Sequence, residues 1–513
     1  MSIWTLLDMA ACATPDRCAI VWGDSRLSYE DLRQMSLSLA RQVRAGGSSH
    51  VVYMGANHPA FAVAVFGAAA AGVPLLPLNY RLGDAQLSAA LAALARPMLL
   101  GDATSAERLR RLGWQCALAA DWIGVALQVP QEQDIELGEA ASDSVAILLQ
   151  TSGTSSAPKS AVLRHSHVSS YIFTNMDFGS AEASEMALVS VPPYHIAGVS
   201  NLLSNIYATR TIAYLDNFSA TQWLHVARTQ RVSQAMLVPT MLARIVDELK
   251  ILDGNPELDS LRTVSYGGAA LARNVVELAL KLLPHVDFVN AYGLTETSST
   301  IAMLGPQDHR AALASPQEHV RARLGSAGRP LEGIELDIRD EAGASLAAGS
   351  SGMLWVRGPQ VSGEYLGSET ALDPLGWFNT RDKAHLDPDG YLFIEGRHDD
   401  TIIRGGENIA PAEIEEVLLT HPGVLEAAVA GIADPQWGQR IVAAVVLRSG
   451  HHPSTEELRS FVRGVVRSAR TPDCIALWPQ LPYTSTGKLL RRQVAEAFRS
   501  TDAAVETEET QGP

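Results

Sequence analysis

Between positions 148 and 160 the chain reads LLQTSGTSSAPKS, a crowd of hydroxyls with a glycine and one ammonium behind an apolar run at 145–149. Thr151, Ser152, Gly153, Thr154 and Lys159 are residues of the kind that hold a polyphosphate. Backbone N–H groups, Ser/Thr hydroxyls and a lysine together offset several negative charges. The spacing from Gly153 to Ser160 imitates a P-loop, but Pro158 stands where the second glycine belongs. Proline has no N–H and a fixed φ, so the anion-wrapping turn of that motif cannot form there. The Gly487-Lys488 pair fails the same pattern, with Pro482 at the first glycine position and Leu489 in place of a hydroxyl residue.

Four more segments carry complementary groups. Residues 192–198 follow an apolar run and deliver Tyr194 and His195. Residues 290–296 offer in quick succession the ring of Tyr292, the hydroxyl of Thr295 and the carboxylate of Glu296. Residues 377–382 end in Asp382, which could chelate a vicinal diol, and residues 404–409 with Glu413 place Gly405 and Gly406 just beyond a polar break. Singly, each has an ordinary explanation: Tyr292 as a core aromatic, His195 as a satisfied buried histidine, Asp382 as a turn former. The informative feature is that all five occur in one chain in this order.

Such segments need a scaffold. Strand-length apolar runs at 51–54, 74–78, 186–191, 211–215, 234–238, 263–266 and 288–291 alternate with helical patterns. That alternation predicts an α/β fold with largely parallel sheets in layers. From 331 to 391 short β segments at 334–338, 353–356 and 391–394, punctuated by glycine, predict a small β-rich subdomain. A new unit follows the polar break at 396–400, with a helix at 411–419, strands at 424–432 and 441–447, and a helix at 455–466 capped by Ser454 or Thr455. The expected division is residues 1–396, 397–499, and a disordered Ala/Glu/Thr-rich tail at 500–513.

At 513 residues the chain is too long for one compact domain. Its net charge of −16 argues against a nucleic-acid partner, since phosphate backbones demand clustered Lys and Arg. The four cysteines, Cys12, Cys18, Cys116 and Cys474, show no Cys-x-x-Cys spacing and read as reduced thiols of a cytoplasmic protein. The N-terminus has no basic n-region, so no signal peptide is expected. The apolar stretch 60–78 is rich in Ala and broken by Gly72, Pro74 and Pro77, which predicts a buried helix and strand rather than a membrane span.

Together the five segments resemble the adenylate-forming superfamily of acyl-CoA synthetases, peptide-synthetase adenylation domains and firefly luciferase, over residues 4–492. The resemblance implies a large N-terminal domain of two layered α/β sheets with a small β-barrel-like subdomain, and a small mobile α+β C-terminal domain. It implies an enzyme in which a carboxylate attacks the α-phosphorus of ATP, giving acyl-AMP and pyrophosphate, after which a thiol, usually coenzyme A, displaces AMP. By matching position, Thr151, Ser152, Gly153, Thr154 and Lys159 would embrace the β- and γ-phosphates, Thr295 would touch the α-phosphate and Glu296 would help hold Mg²⁺. Gly267, Gly268, Ala269 and Tyr292 would sandwich the adenine; Asp382 and Arg397 would bind the ribose hydroxyls. Lys488 matches the mobile-domain lysine of the first half-reaction, where a preorganised cation beside the acyl carboxylate and α-phosphate is the main catalytic resource. His195 would gate the acyl pocket or orient the carboxylate. Asp399 matches the hinge, and Gly405 and Gly406 would line the pantetheine passage, where absent side chains let a slim thiol arm through.

The chain departs from the superfamily pattern at Ser156, Ser160, Glu364 and Arg381, all usual glycines. A serine forced to φ > 0 would cost on the order of 1 kcal/mol. Every charged or catalytic position is kept, which favours catalysis over a non-catalytic nucleotide-binding relative. The stretches expected to wall the acyl pocket, 194–199, 237–240, 265–268 and 294–301, contain no Arg or Lys, and no Asp near Tyr194 offers to hold an α-ammonium. The expected substrate is therefore a neutral, apolar monocarboxylic acid (aliphatic, alicyclic or aromatic) with free coenzyme A as acceptor. The alternative is a stand-alone adenylation enzyme that loads a carrier protein's phosphopantetheine.

Overall fold

A computed structural model describes residues 1–119, 141–151, 159–251, 257–269, 271–397, 400–404, 407–466, 470–484 and 489–509, with backbone alone for 407, 408 and 501–509. Two large sheets build the first three quarters of the chain. The nine-stranded sheet runs edge to edge through Arg329–Pro330, Ser299–Leu304, Asp287–Leu294, Thr263–Gly267, Gln234–Leu237, Met186–Val189, Thr211–Tyr214, Cys18–Trp22 and Ser25–Ser28. Its interior pairs are parallel and its edges antiparallel. The six-stranded sheet runs through Ala117–Leu118, Pro97–Gly101, His50–Met54, Leu75–Leu78, Val145–Thr151 and Lys159–Arg164, and its last two strands form an antiparallel hairpin.

The Ala-rich stretch resolves as expected. Helix Pro59–Ala71 is buried along its whole length, and Gly72 at φ 75° ends it before the buried strand Leu75–Leu78. Phe61 and Phe66 of this helix join Ile20, Val189 and Ile212 of one sheet to Val51, Leu75 and Ile147 of the other in a single apolar core. A helix apolar all round is stable only inside such a layer. Among the described residues no helix is long and apolar enough to cross a membrane.

A four-stranded antiparallel sheet follows, Glu335–Arg339, Gly352–Arg357, Phe378–Leu386 and Leu392–Arg397. Arg397 is the last residue of that sheet and pairs with Asp382. The C-terminal unit has a three-stranded sheet, Val424–Asp434, Gly438–Leu447 and Cys474–Leu477, with an apolar cluster on each face. Helix Thr455–Val465 is capped by Ser454, whose hydroxyl accepts the Glu457 N–H while the Glu457 carboxylate accepts the Ser454 N–H.

The last helix runs Arg491–Glu509, through the segment after Ser500 that composition marks as a tail. Low apolar content argues against burial, but Ala, Glu and Gln are strong helix formers and can carry a helix beyond its packed part.

Candidate active site

The strand ends place the chemistry. Gly267 closes strand Thr263–Gly267 and pairs with Ala291 on the neighbouring parallel strand, one residue before Tyr292. A Cβ on Gly267 would lie 2.0 Å from the Ala291 carbonyl oxygen, so only glycine fits. Gly268 follows at φ 89°, with Ala269 next in the chain. Strand Asp287–Leu294 then feeds a single 3-10 turn, Thr295–Thr297, which exposes Thr295 and Glu296 at the C-terminal edge of the sheet. This edge is where open α/β sheets bind ligands. Ser298 at φ 53° and Ser299 at φ 124° turn the chain straight back into strand Ser299–Leu304. Backbone held in such conformations clusters at functional sites.

Tyr292, Asp382 and Arg397 form one connected group. The Tyr292 hydroxyl donates to Asp382 Oδ2, and Arg397 Nε lies 3.0 Å from Asp382 Oδ1. Arg397 Nη1 also donates to the Thr380 carbonyl at 2.9 Å. The Asp382 side chain is only 7% exposed, so its charge depends on these partners. Burial, with the Asp382 charge alongside, pushes the Tyr292 phenol well above its usual range. For Arg397 burial works against the charge, but Asp382, Tyr292, Glu296 and Asp400 outweigh it and raise the guanidinium pKa.

The phosphate side is reached through Glu296. Its Oε1 accepts from the Tyr365 hydroxyl at 2.7 Å, and the Lys159 ammonium stands 5.4 Å from the centre of the Tyr365 ring. Thr151 and Lys159 are cross-strand partners at the open end of the hairpin, where Thr151 Oγ1 donates to the Lys159 carbonyl at 3.2 Å. Thr151, Lys159, Tyr365 and Glu296 thus form one group of contacts and Arg397, Asp382 and Tyr292 a second, with Gly267 paired to the residue before Tyr292. Ser152, Gly153, Thr154, Asp399, Gly405, Gly406 and Lys488 lie outside the described residues.

His195 occupies the N-cap of helix Ile196–Tyr207, its ring 4.6 Å from that of Tyr194. The same helix reaches the strand after Glu296 through a Ser299–Ser200 hydroxyl hydrogen bond of 3.0 Å. Tyr194 is buried and packs edge-on against Tyr80. His195 therefore stands beside the aromatic pair Tyr194 and Tyr80, on the helix that reaches the strand after Glu296.

Two of the glycine replacements behave differently from each other. Ser160 lies extended inside strand Lys159–Arg164, so it carries none of the left-handed cost anticipated for it. Arg381 does sit at φ 61°, and its N–H donates to Asn379 Oδ1 at 2.8 Å. Glu364 forms a two-pronged pair with Arg164, 2.9 Å from Nε and 2.8 Å from Nη2. Tyr365 and Arg164 escaped the sequence reading: the partners of Tyr365 lie far away in the chain, and nothing local marks it.

The donor set suits a magnesium nucleotide. Among the described residues no cluster of three His, Cys, Asp or Glu could hold a metal by itself. Mg²⁺ commonly takes one or two carboxylates plus substrate phosphates, and Glu296 beside Lys159 and Thr295 fits that style.

Comparison with known proteins agrees with this geometry. Residues 7–366 match the family model of AMP-binding enzymes, and residues 413–488 match the AMP-binding enzyme C-terminal domain. A feruloyl-CoA synthase of Amycolatopsis is 31% identical over 495 residues, 94% of this chain and 96% of that protein. A fatty acid–[acyl-carrier-protein] ligase of Streptomyces coeruleorubidus is 30% identical over 508 residues, covering 94% of each chain. The o-succinylbenzoate CoA synthetase of Bacillus subtilis, solved with its acyl-adenylate intermediate, superposes with a TM-score of 0.82 at 28% identity over 96% of this chain and 98% of its own. The same enzyme has been solved with ATP and magnesium. Both halves of the chain therefore belong to the AMP-binding enzymes of the adenylate-forming superfamily, and the protein is an AMP-forming acid–thiol ligase.

Proposed function

We propose that this ligase activates a neutral, apolar monocarboxylic acid as acyl-AMP and then transfers the acyl group to coenzyme A. The observation that carries the reading is a pair of groups at the same end of the sheets, Thr151, Lys159, Tyr365 and Glu296 in one and Arg397, Asp382 and Tyr292 in the other, with the Glu296 charge acting on Arg397. It matches in order the parts of an ATP: phosphates at the lysine, ribose diol at the aspartate, adenine beside Tyr292 and Gly267–Ala269.

In this mechanism Lys159 and the hydroxyl-rich loop containing Ser152, Gly153 and Thr154 bind the outer phosphates. Thr295 donates to the α-phosphate, and Asp382, fixed by Arg397 and Tyr292, accepts from the ribose hydroxyls. Glu296 would hold the magnesium, which when bound would supply charge neutralisation at the phosphates. The acyl carboxylate attacks the α-phosphorus in line, the bond to the β-phosphate oxygen breaks, and pyrophosphate leaves. Lys488, from the unit we place beyond residue 396, orients the carboxylate and α-phosphate during this step. That unit turns about Asp399 before the thiol attacks the acyl carbon and releases AMP, and Gly405 and Gly406 then line the thiol's approach.

The aromatic rings of Tyr194 and Tyr80 beside His195 support a neutral acid. All four cysteines are free, two of them exposed, which suits the reducing cytoplasm. The identity of the Streptomyces relative favours one second reading, transfer to a carrier protein's phosphopantetheine. The test is ATP–pyrophosphate exchange over a panel of aliphatic, alicyclic and aromatic monocarboxylates, followed by product analysis with CoA or holo-carrier protein. Exchange confined to acids carrying a second charge would overturn the substrate class, and no exchange with any acid would overturn catalysis.

A further inference from the structure

The segment 362–366 touches both ends of the proposed triphosphate site. On one side, the Ser362 N–H and hydroxyl both donate to the Glu296 carbonyl, at 2.8 and 3.1 Å, and the Tyr365 hydroxyl donates to the Glu296 carboxylate. On the other, Val162 N–H donates to the Glu364 carbonyl and Leu366 N–H to the Ser160 carbonyl, each at 2.9 Å. Arg164, on the same strand as Lys159, grips the Glu364 carboxylate with two parallel bonds. This short piece of chain is thus a strut between the strand that begins at Lys159 and the turn that carries Glu296.

We infer that Tyr365 is a positioning residue that sets the metal-binding carboxylate of Glu296 relative to the phosphate-binding Lys159, with the Arg164–Glu364 pair keeping the strut in place. The inference rests on the adenylate-forming reading above. A phenol donating to one carboxylate oxygen holds the group in place without neutralising it, and leaves the other oxygen able to accept. Among the described residues Glu296 Oε2 accepts no hydrogen bond, so it is the oxygen left to a cation. The Tyr365 ring meanwhile seats the Lys159 ammonium by a cation–π contact, so one side chain addresses both groups. Glycine at position 364 could not make the Arg164 clamp.

The experiment measures binding of a non-hydrolysable ATP analogue to the whole protein by calorimetry, once with Mg²⁺ and once with EDTA. Tyr365→Phe keeps the ring and removes the donor. It should reduce the affinity gained from Mg²⁺ by about tenfold, the factor of a lost hydrogen bond to a charged group. Its metal-free affinity should remain at the wild-type value. Tyr365→Leu should weaken metal-free binding as well, because Lys159 loses its seat. The double variant Arg164→Ala/Glu364→Ala should be no worse than either single change and should reproduce part of the Tyr365→Phe loss. An unchanged Mg²⁺ gain in Tyr365→Phe, or equal weakening in Mg²⁺ and EDTA, overturns the positioning role. Glu296→Gln separates this from the underlying reading. If it abolishes the Mg²⁺ gain while Tyr365→Phe keeps it, only the role of Tyr365 fails; if it too keeps the gain, the metal role of Glu296 fails with it. Should Tyr365→Phe not fold, Glu364→Gln gives the same test through the clamp.

Discussion

The nucleotide-facing edge of the large unit and the face on which the C-terminal unit docks are built in opposite ways. At the first, Asp382 is nearly buried and held by Arg397 and Tyr292, and Glu296 is held at its carbonyl by Ser362 and at its carboxylate by Tyr365. At the second, two polar ties are half-exposed: Arg448 meets Asp247 of helix Pro239–Ile251 at 3.2 Å, and Asn274 Nδ2 donates to the Leu419 carbonyl at 3.2 Å. The C-terminal unit is itself firmly tied, since Arg491 joins Glu415 at 2.8 Å and Asp400 at 3.5 Å. Preorganised groups belong where charge must be stabilised, and weak solvent-exposed pairs belong where a body must let go. The contrast suits the two-step mechanism with one rotating part proposed above.

Four changes would break or sharpen this contrast. The largest effect is expected from Lys488→Ala, which should slow acyl-AMP formation by roughly 10²- to 10³-fold. Thioester formation from supplied acyl-AMP should be largely spared, and equal losses in both half-reactions would remove the lysine from the first step. Next, Asp382→Ala strands the Arg397 guanidinium and the Tyr292 hydroxyl. Urea unfolding of the ligand-free protein should show a loss of about 2 kcal/mol, with a raised KM for ATP. A stable variant with unaltered KM would mean that this group is neither structural nor nucleotide-binding.

Smaller still is Arg448→Ala. Its pair with Asp247 is half-exposed, so stability should fall by less than about 1 kcal/mol, less again in high salt. The partition between pyrophosphate exchange and thioester formation should nonetheless shift, because one docked orientation loses a contact. If both half-reactions stay in their wild-type ratio, the pair is a passive surface contact. Smallest is Arg381→Gly. Relief of the left-handed backbone and the entropy cost of glycine oppose each other, so unfolding should change by no more than about 1 kcal/mol. A larger loss would reveal a role for the guanidinium itself.

Much of the architecture was legible from pattern. The runs at 51–54, 211–215 and 234–238 became strands His50–Met54, Thr211–Tyr214 and Gln234–Leu237, because buried parallel strands are short, apolar and β-branched. The cap at Ser454 was legible because its signal is four residues long. Where context decides, pattern misled or fell silent. Ser160 looked costly as a replaced glycine, yet its place in a hairpin makes it an ordinary extended residue. Tyr365 stayed invisible because its hydroxyl serves a carboxylate 69 positions away.

Residue types and their order carried the resemblance that implied the reaction class: a hydroxyl-rich turn, a strand-end carboxylate, an aspartate and a late lysine in one chain. Short-range periodicity determined most of the helices and strands that carry them. Only the tertiary structure decided that Lys159 and Glu296 share Tyr365, that Arg397 closes on Asp382, and that Arg164 reaches Glu364 across 200 residues. The reason is physical: side-chain identity and local period are written in neighbouring residues, whereas the distance between two charges depends on how separate sheets pack.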